Sequence, residues 1–309
     1  MDLRDLRYFE TIADLEHLGR AATKLHRSPP ALTKCIRRLE ESLGTALFER
    51  EGRGIRLTAA GHALRRRARV LDVAMDDTLR EIGSVTRGEA GSLRIGVAPT
   101  MAQYLLPAAC RTFMSSSPDV TIETLIGMSN LLRKALLDGE IDFAITVDGH
   151  SEGLAAYPIV DDHVVVVAGS GHEIFRKRPT IADLARFRWV LPVASYDVET
   201  RRFIDSVFKR HGIEAPRVQI ETNSVTFLPN LIAATGLLSF ISRRNLGRGN
   251  VAAPLREVRV KGTSLLRQFA LVHRKDAYLS PAAVRFMELL RERGQSLFAK
   301  AFESGRSGK

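Results

Sequence analysis

Apolar positions recur with helical spacing from residue 3 to about residue 87, and strand-like runs interleave with helices beyond residue 93. Leu6, Phe9 and Ala13 share one face, with Leu3 at its start, so residues 3–14 read as a first helix. Gly19–Leu25 reads as a short second helix whose Ala21–Ala22 pair allows close approach, and His26, Arg27 and Ser28 make a tight turn out of it. In Ser28–Leu43 the residues Leu32, Ile36, Leu39 and Leu43 form one stripe, while the opposite face carries Thr33, Lys34, Arg37 and Arg38. Pro30 suits the first helical position, Pro29 before it is pushed out of the α region, and Gly44 suits a left-handed cap. Such a helix is also common on ordinary protein surfaces. Joined by a tight turn to a second short helix, it has the pattern of a helix-turn-helix, whose second helix enters the major groove.

Leu47–Phe48 and the run Arg50–Leu57 follow, with glycines on both sides of Arg53, which predicts a hairpin with an arginine at its tip. That is a wing, and an arginine on it suits a narrow minor groove. Thr58 is a fitting N-cap for a long helix to about Arg87. Along it Leu64, Ala68, Leu71, Met75, Thr78 and Ile82 alternate at heptad spacing, the seam expected where a second chain packs. Packing within one subunit is the alternative.

Gly88–Ser92 is small and flexible enough for a hinge. Leu93–Val97, Val120–Ile126 and Ile141–Thr146 then alternate with helices, and His163–Val167, Trp189–Leu191, Val218–Glu221, Leu237–Ile241 and Leu265–Val272 continue the strands. Strands alternating with helices argue for a parallel-sheet α/β unit. Ser280–Pro281 starts a terminal helix.

The formal charge is +11, and residues 1–71 hold fifteen Lys/Arg against nine Asp/Glu, a denser cation than the remainder. That balance suits a nucleic-acid partner. Two cysteines, Cys35 and Cys110, are too few for a disulfide framework or a metal knuckle, and structural thiols are the expectation over a redox pair. The eight histidines are scattered without ligand spacing, and no catalytic motif is present, so no metal, cofactor or catalytic residue is expected. The charged N-terminus lacks a secretory apolar region and no run reaches membrane-spanning length, which argues for a cytoplasmic chain without a membrane partner.

The run RAATKLHRSPPALTKCIRRLEESLGTALFEREGRGIRLTAAG closely resembles the winged helix-turn-helix of LysR-type transcriptional regulators. The paired alanines, the S-x-P-A-L-[ST] junction, the LG-x-x-LF-x-R-x-x-R wing and the LT-x-x-G start of the long helix carry the resemblance. It implies an N-terminal all-α winged helix-turn-helix over 1–58, a linker and dimerisation helix over 59–87 and a hinge over 88–92. Beyond these it implies an α/β effector-binding domain over 93–309 that resembles type II periplasmic binding proteins. Subdomain I would comprise 93–162 and 267–309, and subdomain II 163–266. The resemblance favours a homodimer that assembles to a homotetramer, with promoter DNA, an effector and RNA polymerase as further partners.

On this reading Ser28, Pro29, Pro30, Thr33, Lys34, Arg37, Arg38, Arg50 and Arg53 meet DNA, and Leu64, Ala68, Leu71, Met75 and Ile82 meet the second chain. The family usually has glutamine at the place of Pro29, which has no side-chain hydrogen bond to give, so direct base readout there is lost. Cys35 also replaces a longer polar residue.

Ligands of such sheets sit in the crevice at strand C-terminal ends, where helix N-termini favour anions. Thr100, Ser129, Ser195 and Ser224 fall at strand-to-helix turns facing that crevice, and Met101, Thr146 and Tyr196 would add wall and hydroxyl contacts. Each hydroxyl has an alternative role as the cap of its own helix. The expected activity is therefore a transcriptional regulator switched by a small organic anion. A solute-binding protein and an enzyme using the same cleft are the alternatives, disfavoured by the intact wing and by the lack of an acid–base or nucleophile pair.

Overall fold

The computed structural model describes residues 2–52, 54–87, 92–147, 152–193, 198–224, 226–246 and 254–300, and the chain divides into two compact units, Met1–Val85 and Thr86–Lys309. The first unit runs α1 (Leu3–Leu15), α2 (Leu18–Lys24), α3 (Pro29–Leu43), β1 (Phe48–Glu51), β2 (Gly54–Leu57) and α4 (Ala59–Arg87). Phe9, Leu39, Leu47 and Leu57 form one buried cluster, and Ile12, Ala21, Ala22, Leu32 and Ile36 form a second. The paired alanines are the small residues that let α2 meet the other two helices.

α3 begins at Pro29, one residue before the expected start. Ser28 takes the extended conformation (φ −80°, ψ 146°) and its Oγ accepts from the Ala31 N–H at 3.4 Å, so the cap fixes the start and both prolines fall in the first turn. Gly44 ends the helix at φ +67°. Leu43 is exposed and does not complete the stripe, whereas Cys35 joins the core.

Thr58 fixes the start of α4: its hydroxyl donates to the Ala46 carbonyl at 2.7 Å and accepts from the Gly61 N–H at 3.0 Å. A Cβ on Gly61 would lie 2.2 Å from the Leu47 carbonyl oxygen and 2.8 Å from Leu57 Cδ2. Only glycine permits that approach. The heptad seam needs correction at its beginning. Ala68 is buried in the winged-helix core and Leu64 packs against the same cluster, so the chain's own domain takes both. Met75 is half-buried, while Leu71 and Ile82 are 47% and 59% exposed.

The second unit begins with β3 (Ser92–Val97), α5 (Pro99–Tyr104), α6 (Leu106–Met114), β4 (Thr121–Ile126), α7 (Ser129–Leu137) and β5 (Phe143–Val147). It continues through β6 (Leu154–Gly169), α8 (Ile181–Arg186), β7 (Trp189–Pro192), α9 (Val198–Lys209), β8 (Val218–Thr222) and α10 (Leu228–Thr235). β9 (Ser239–Ser242), β10 (Leu255–Glu257), β11 (Ser264–Arg274) and α11 (Pro281–Lys300) complete it. Of the expected hinge over 88–92, residues 88–91 lie outside the described residues and Ser92 opens β3.

The main sheet has the order β10-β6-β11-β5-β3-β4, with β9 also on β6, while β7 and β8 form a separate parallel pair. The sheet is mixed, not parallel throughout: β3 runs parallel to β4 and β5, but the long strands β6 and β11 run antiparallel along eleven residue pairs. Two cores flank these long strands. One gathers Phe143, Phe269, Phe286 and Phe298, and the other Trp189, Phe208 and Phe240.

Gly61→Ala is expected to destabilise the first unit by about 1–3 kcal/mol, because the added methyl's closest clash is with the Leu47 backbone, which cannot swing aside as a side chain could. Urea unfolding of the two forms measures it, and an unchanged midpoint would show that the start of α4 shifts at no cost.

Candidate DNA-binding surface and effector cavity

α3 buries Leu32, Cys35, Ile36 and Leu39 and exposes Ser28, Pro29, Pro30, Thr33, Lys34, Arg37 and Arg38 around its N-terminal half and outer face. Thr33 donates to the Pro29 carbonyl at 3.1 Å, which leaves its oxygen free to accept. Arg38 is different from its neighbours. Its Nε donates to Asp5 Oδ2 at 2.9 Å and its Nη2 to Asp5 Oδ1, and Cys35 Sγ lies 3.4 Å from the same Oδ1. The Arg38 hydrogen bond holds the buried Asp5 carboxyl below its usual range. Burial and the Asp5 charge push the Cys35 thiol up to about 12, so it stays protonated and is no redox-active thiolate.

The wing pairs β1 with β2 from Phe48↔Leu57 to Glu51↔Gly54. Gly52 turns at φ +58°, Arg50 is exposed on β1, and Arg53 lies outside the described residues. Glu40 of α3 accepts from the Leu47 N–H at 2.8 Å and the Phe48 N–H at 3.4 Å, tying helix to wing. Arg56, on the facing strand, is matched by Glu49 at 2.7 Å and Glu51 at 3.3 Å.

In the second unit a cavity of about 300 Å³ opens between the two cores. Its walls come from both: Thr100, Ser129 and Arg133 on one side, Arg202, Thr226 and Ser242 on the other, with Leu265, Arg267 and Phe269 of β11 between. Arg267 is paired in register with Asp162 on β6, to which its Nε donates at 3.0 Å, and its Nη2 donates to Thr100 Oγ1 at 3.0 Å. The guanidinium also lies 4.9 Å from the centre of the Phe269 ring. Asp162 is buried and accepts from Ser242 Oγ at 2.7 Å. A chain of hydrogen bonds thus runs from Thr100 through Arg267 and Asp162 to Ser242. A second link joins the same walls, with Tyr104 Oη donating to Asn245 Oδ1 at 2.8 Å.

The model for the bacterial regulatory helix-turn-helix protein of the lysR family matches residues 3–62, and that for the LysR substrate binding domain matches residues 86–295. The chain belongs to the LysR family of transcriptional regulators. This LysR-type regulator is 30% identical over 310 residues to the HTH-type transcriptional regulator CbbR of Xanthobacter flavus, covering 99% of this chain and 92% of that one. It is 27% identical to a probable RuBisCO transcriptional regulator of Cyanophora paradoxa, covering 93% and 90%. It is similar to the crystal structure of full-length CbnR complexed with its target DNA, at a TM-score of 0.65 and 26% identity, covering 94% of this chain and 99% of that one. The family and these relatives are regulators and not enzymes. The chain is accordingly a DNA-binding transcriptional regulator with an effector-binding domain.

Within that LysR frame, the residues expected around the effector separate into three groups. Thr100 and Ser129 line the cavity, and neither caps its own helix: Thr100 takes Arg267, and Ser129 donates to the Val147 carbonyl at 3.1 Å and lies 2.9 Å from Thr146 Oγ1. Met101 is instead a core residue with no exposure, because α5 turns it inward among Leu93, Val97 and Phe286. Thr146 is buried behind Ser129. Ser224 binds Thr226 Oγ1 at 3.3 Å, and Thr226, not Ser224, reaches the cavity wall. Ser195 and Tyr196 lie outside the described residues. The arginines of the wall went unnoticed in the sequence. Arg267 does carry a signal, a charge on the same strand face as Leu265 and Phe269.

Against α4, Glu10 of α1 is half-buried with Oε1 unsatisfied. Burial chiefly, then the nearby charges of Asp72 and Asp14, outweigh Arg69 and Arg65 and push its carboxyl from the ordinary 4.5 up to about 7. Between those values the folded chain holds a proton that the unfolded chain has released, so stability falls as pH rises through this window. Glu10→Gln is expected to flatten that slope and to raise the melting temperature at pH 8 relative to the parent, with little change near pH 4. Melting curves across that range check it, and parallel slopes for the two proteins would refute it.

Proposed function

We propose that the cavity binds a small organic anion, a carboxylate or sulfonate, and that the anion is the effector. The observation that supports this most directly is Arg267, held in the wall by Asp162 on one side and Thr100 on the other. Arg133 and Arg202 line the same space, and among the described lining residues there is no carboxylate. An anion there gains charge-assisted hydrogen bonds in a partly desolvated setting. A ligand that favours one arrangement of the two walls shifts a pre-existing equilibrium by its differential affinity alone. Thr100→Val keeps shape and removes one hydroxyl, and Arg202→Gln removes one charge. In calorimetry against a panel of organic anions, each is expected to weaken a hit by about 1.5–3 kcal/mol. A hit whose affinity survives both changes together binds elsewhere.

On DNA, the reading is that Thr33, Lys34 and Arg37 enter the major groove with Ser28, Pro29 and Pro30 at the helix entrance. Arg50 and Arg53 of the wing then lie along the flanking minor groove. We further propose that α4 pairs with a second copy through Leu71, Met75 and Ile82, and that dimers join into a tetramer. The exposure of Leu71 supports the pairing. Leu71→Glu places like charges across a two-chain seam and is expected to lower the sedimenting mass, whereas unchanged mass would remove α4 as the dimer contact.

A further inference from the structure

The residues that offer donors to DNA on α3 are not held alike. Lys34 and Arg37 make no ion pair among the described residues, whereas Arg38 is held along one guanidinium edge by Asp5 of α1. Asp5 is 3% exposed and both its oxygens are occupied, so it cannot follow the arginine outward. The Arg38 side chain remains 55% exposed, and its Nη1 is without a hydrogen-bond partner among the described residues. Beside it Tyr8 of α1 accepts from Arg27 Nε at 3.0 Å, so the same helix holds the arginine of the turn as well. Asp2, Arg4, Asp5, Tyr8, Arg27 and Arg38 line one open recess between α1 and α3.

We propose that Asp5 is a positioning residue for DNA binding: it fixes the Nε/Nη2 edge of Arg38 so that the remaining donors face a backbone phosphate. This rests on the reading of α3 as the DNA-facing helix. A free arginine loses rotamer freedom when it meets phosphate, and one already gripped by a carboxylate loses less. Arg38 so held serves as a phosphate clamp and not as a base reader, which matters where Pro29 offers no side-chain hydrogen bond.

The competing possibility is that Asp5 merely neutralises Arg38. The two differ in sign. Asp5→Asn removes a negative charge, and by general electrostatics that tightens binding to a polyanion. Positioning demands the opposite. The probe is a mixed-sequence DNA duplex followed by fluorescence anisotropy over a salt series, since phosphate contacts are independent of sequence. Arg38→Ala is expected to weaken binding about tenfold and to flatten the log–log salt slope by about one unit. Asp5→Asn is expected to weaken it about three- to tenfold in the parent. In the Arg38→Ala background the same change is expected to tighten binding or leave it unaltered. Tighter binding by Asp5→Asn in the parent overturns the proposal.

Should Asp5→Asn fail to fold by circular dichroism, Arg38→Lys keeps the charge on an exposed side chain and loses the fork. It is expected to recover little of the Arg38→Ala loss, and binding equal to the parent overturns the proposal. Lys34→Ala separates the two levels. If it weakens binding and Arg38→Ala does not, the helix assignment stands and the clamp is overturned. If neither weakens binding, the helix assignment fails and takes the clamp with it.

Discussion

The effector domain depends on one pairing, the antiparallel ladder of β6 and β11. Every other strand of the main sheet joins through one of these two, β5 on β11 and β9 and β10 on β6, with β3 and β4 following β5. The ladder also runs past both hydrophobic cores, so its register decides which side chains meet in the gap between them. Period-two alternation puts Leu265, Arg267 and Phe269 on one face. A slip of one residue would turn all three away and present Leu266 and Gln268 instead. The register shift between Phe269 and Ala270 lies at the end of that three-residue set.

The ion pair between Arg267 and Asp162 is a consequence of that register and not an independent feature. The two residues are direct cross-strand partners, and Asp162 is buried with its second oxygen held by Ser242. A buried pair of this kind contributes little net stability, because desolvation offsets attraction, yet removing one partner is costly. Its value is positional. It holds a guanidinium in a cavity wall at a set angle, with Thr100 as the second hydrogen-bonding partner.

The N-terminal unit was legible in the sequence because its signals are local. Stripe spacing, the serine before two prolines, Gly44 after Leu43 and the glycines of the wing each act over a few residues, and the structure departs by one residue at the starts of α2 and α3, by the exposure of Leu43 and by the burial of Cys35. The heptad pattern of α4 was legible as a pattern but not in its use, since Leu64 and Ala68 satisfy the same spacing while packing on their own domain. In the effector domain the turns at Thr100 and Ser129 were recognisable, whereas Met101 and Ser224 depend on which way a short segment rotates. Arg267, Arg133 and Arg202 come together from three distant segments, a tertiary fact that no local spacing encodes. The parallel sheet expected from alternating elements gave way where two long strands were adjacent and opposed.

Glu40 has a role beyond the loop it ties down. By accepting both the Leu47 and Phe48 N–H groups from a position on α3, it welds that helix to the base of the wing. On the far side the Ile55 N–H bonds the Glu16 carbonyl at 3.1 Å, pinning the returning strand to the end of α1. Helix and wing are therefore the two jaws of a fixed caliper. The interval between α3 and the hairpin is set by bonds within the first unit itself. In the proposed dimer, fitting a differently spaced operator would then mean moving one whole caliper relative to the other.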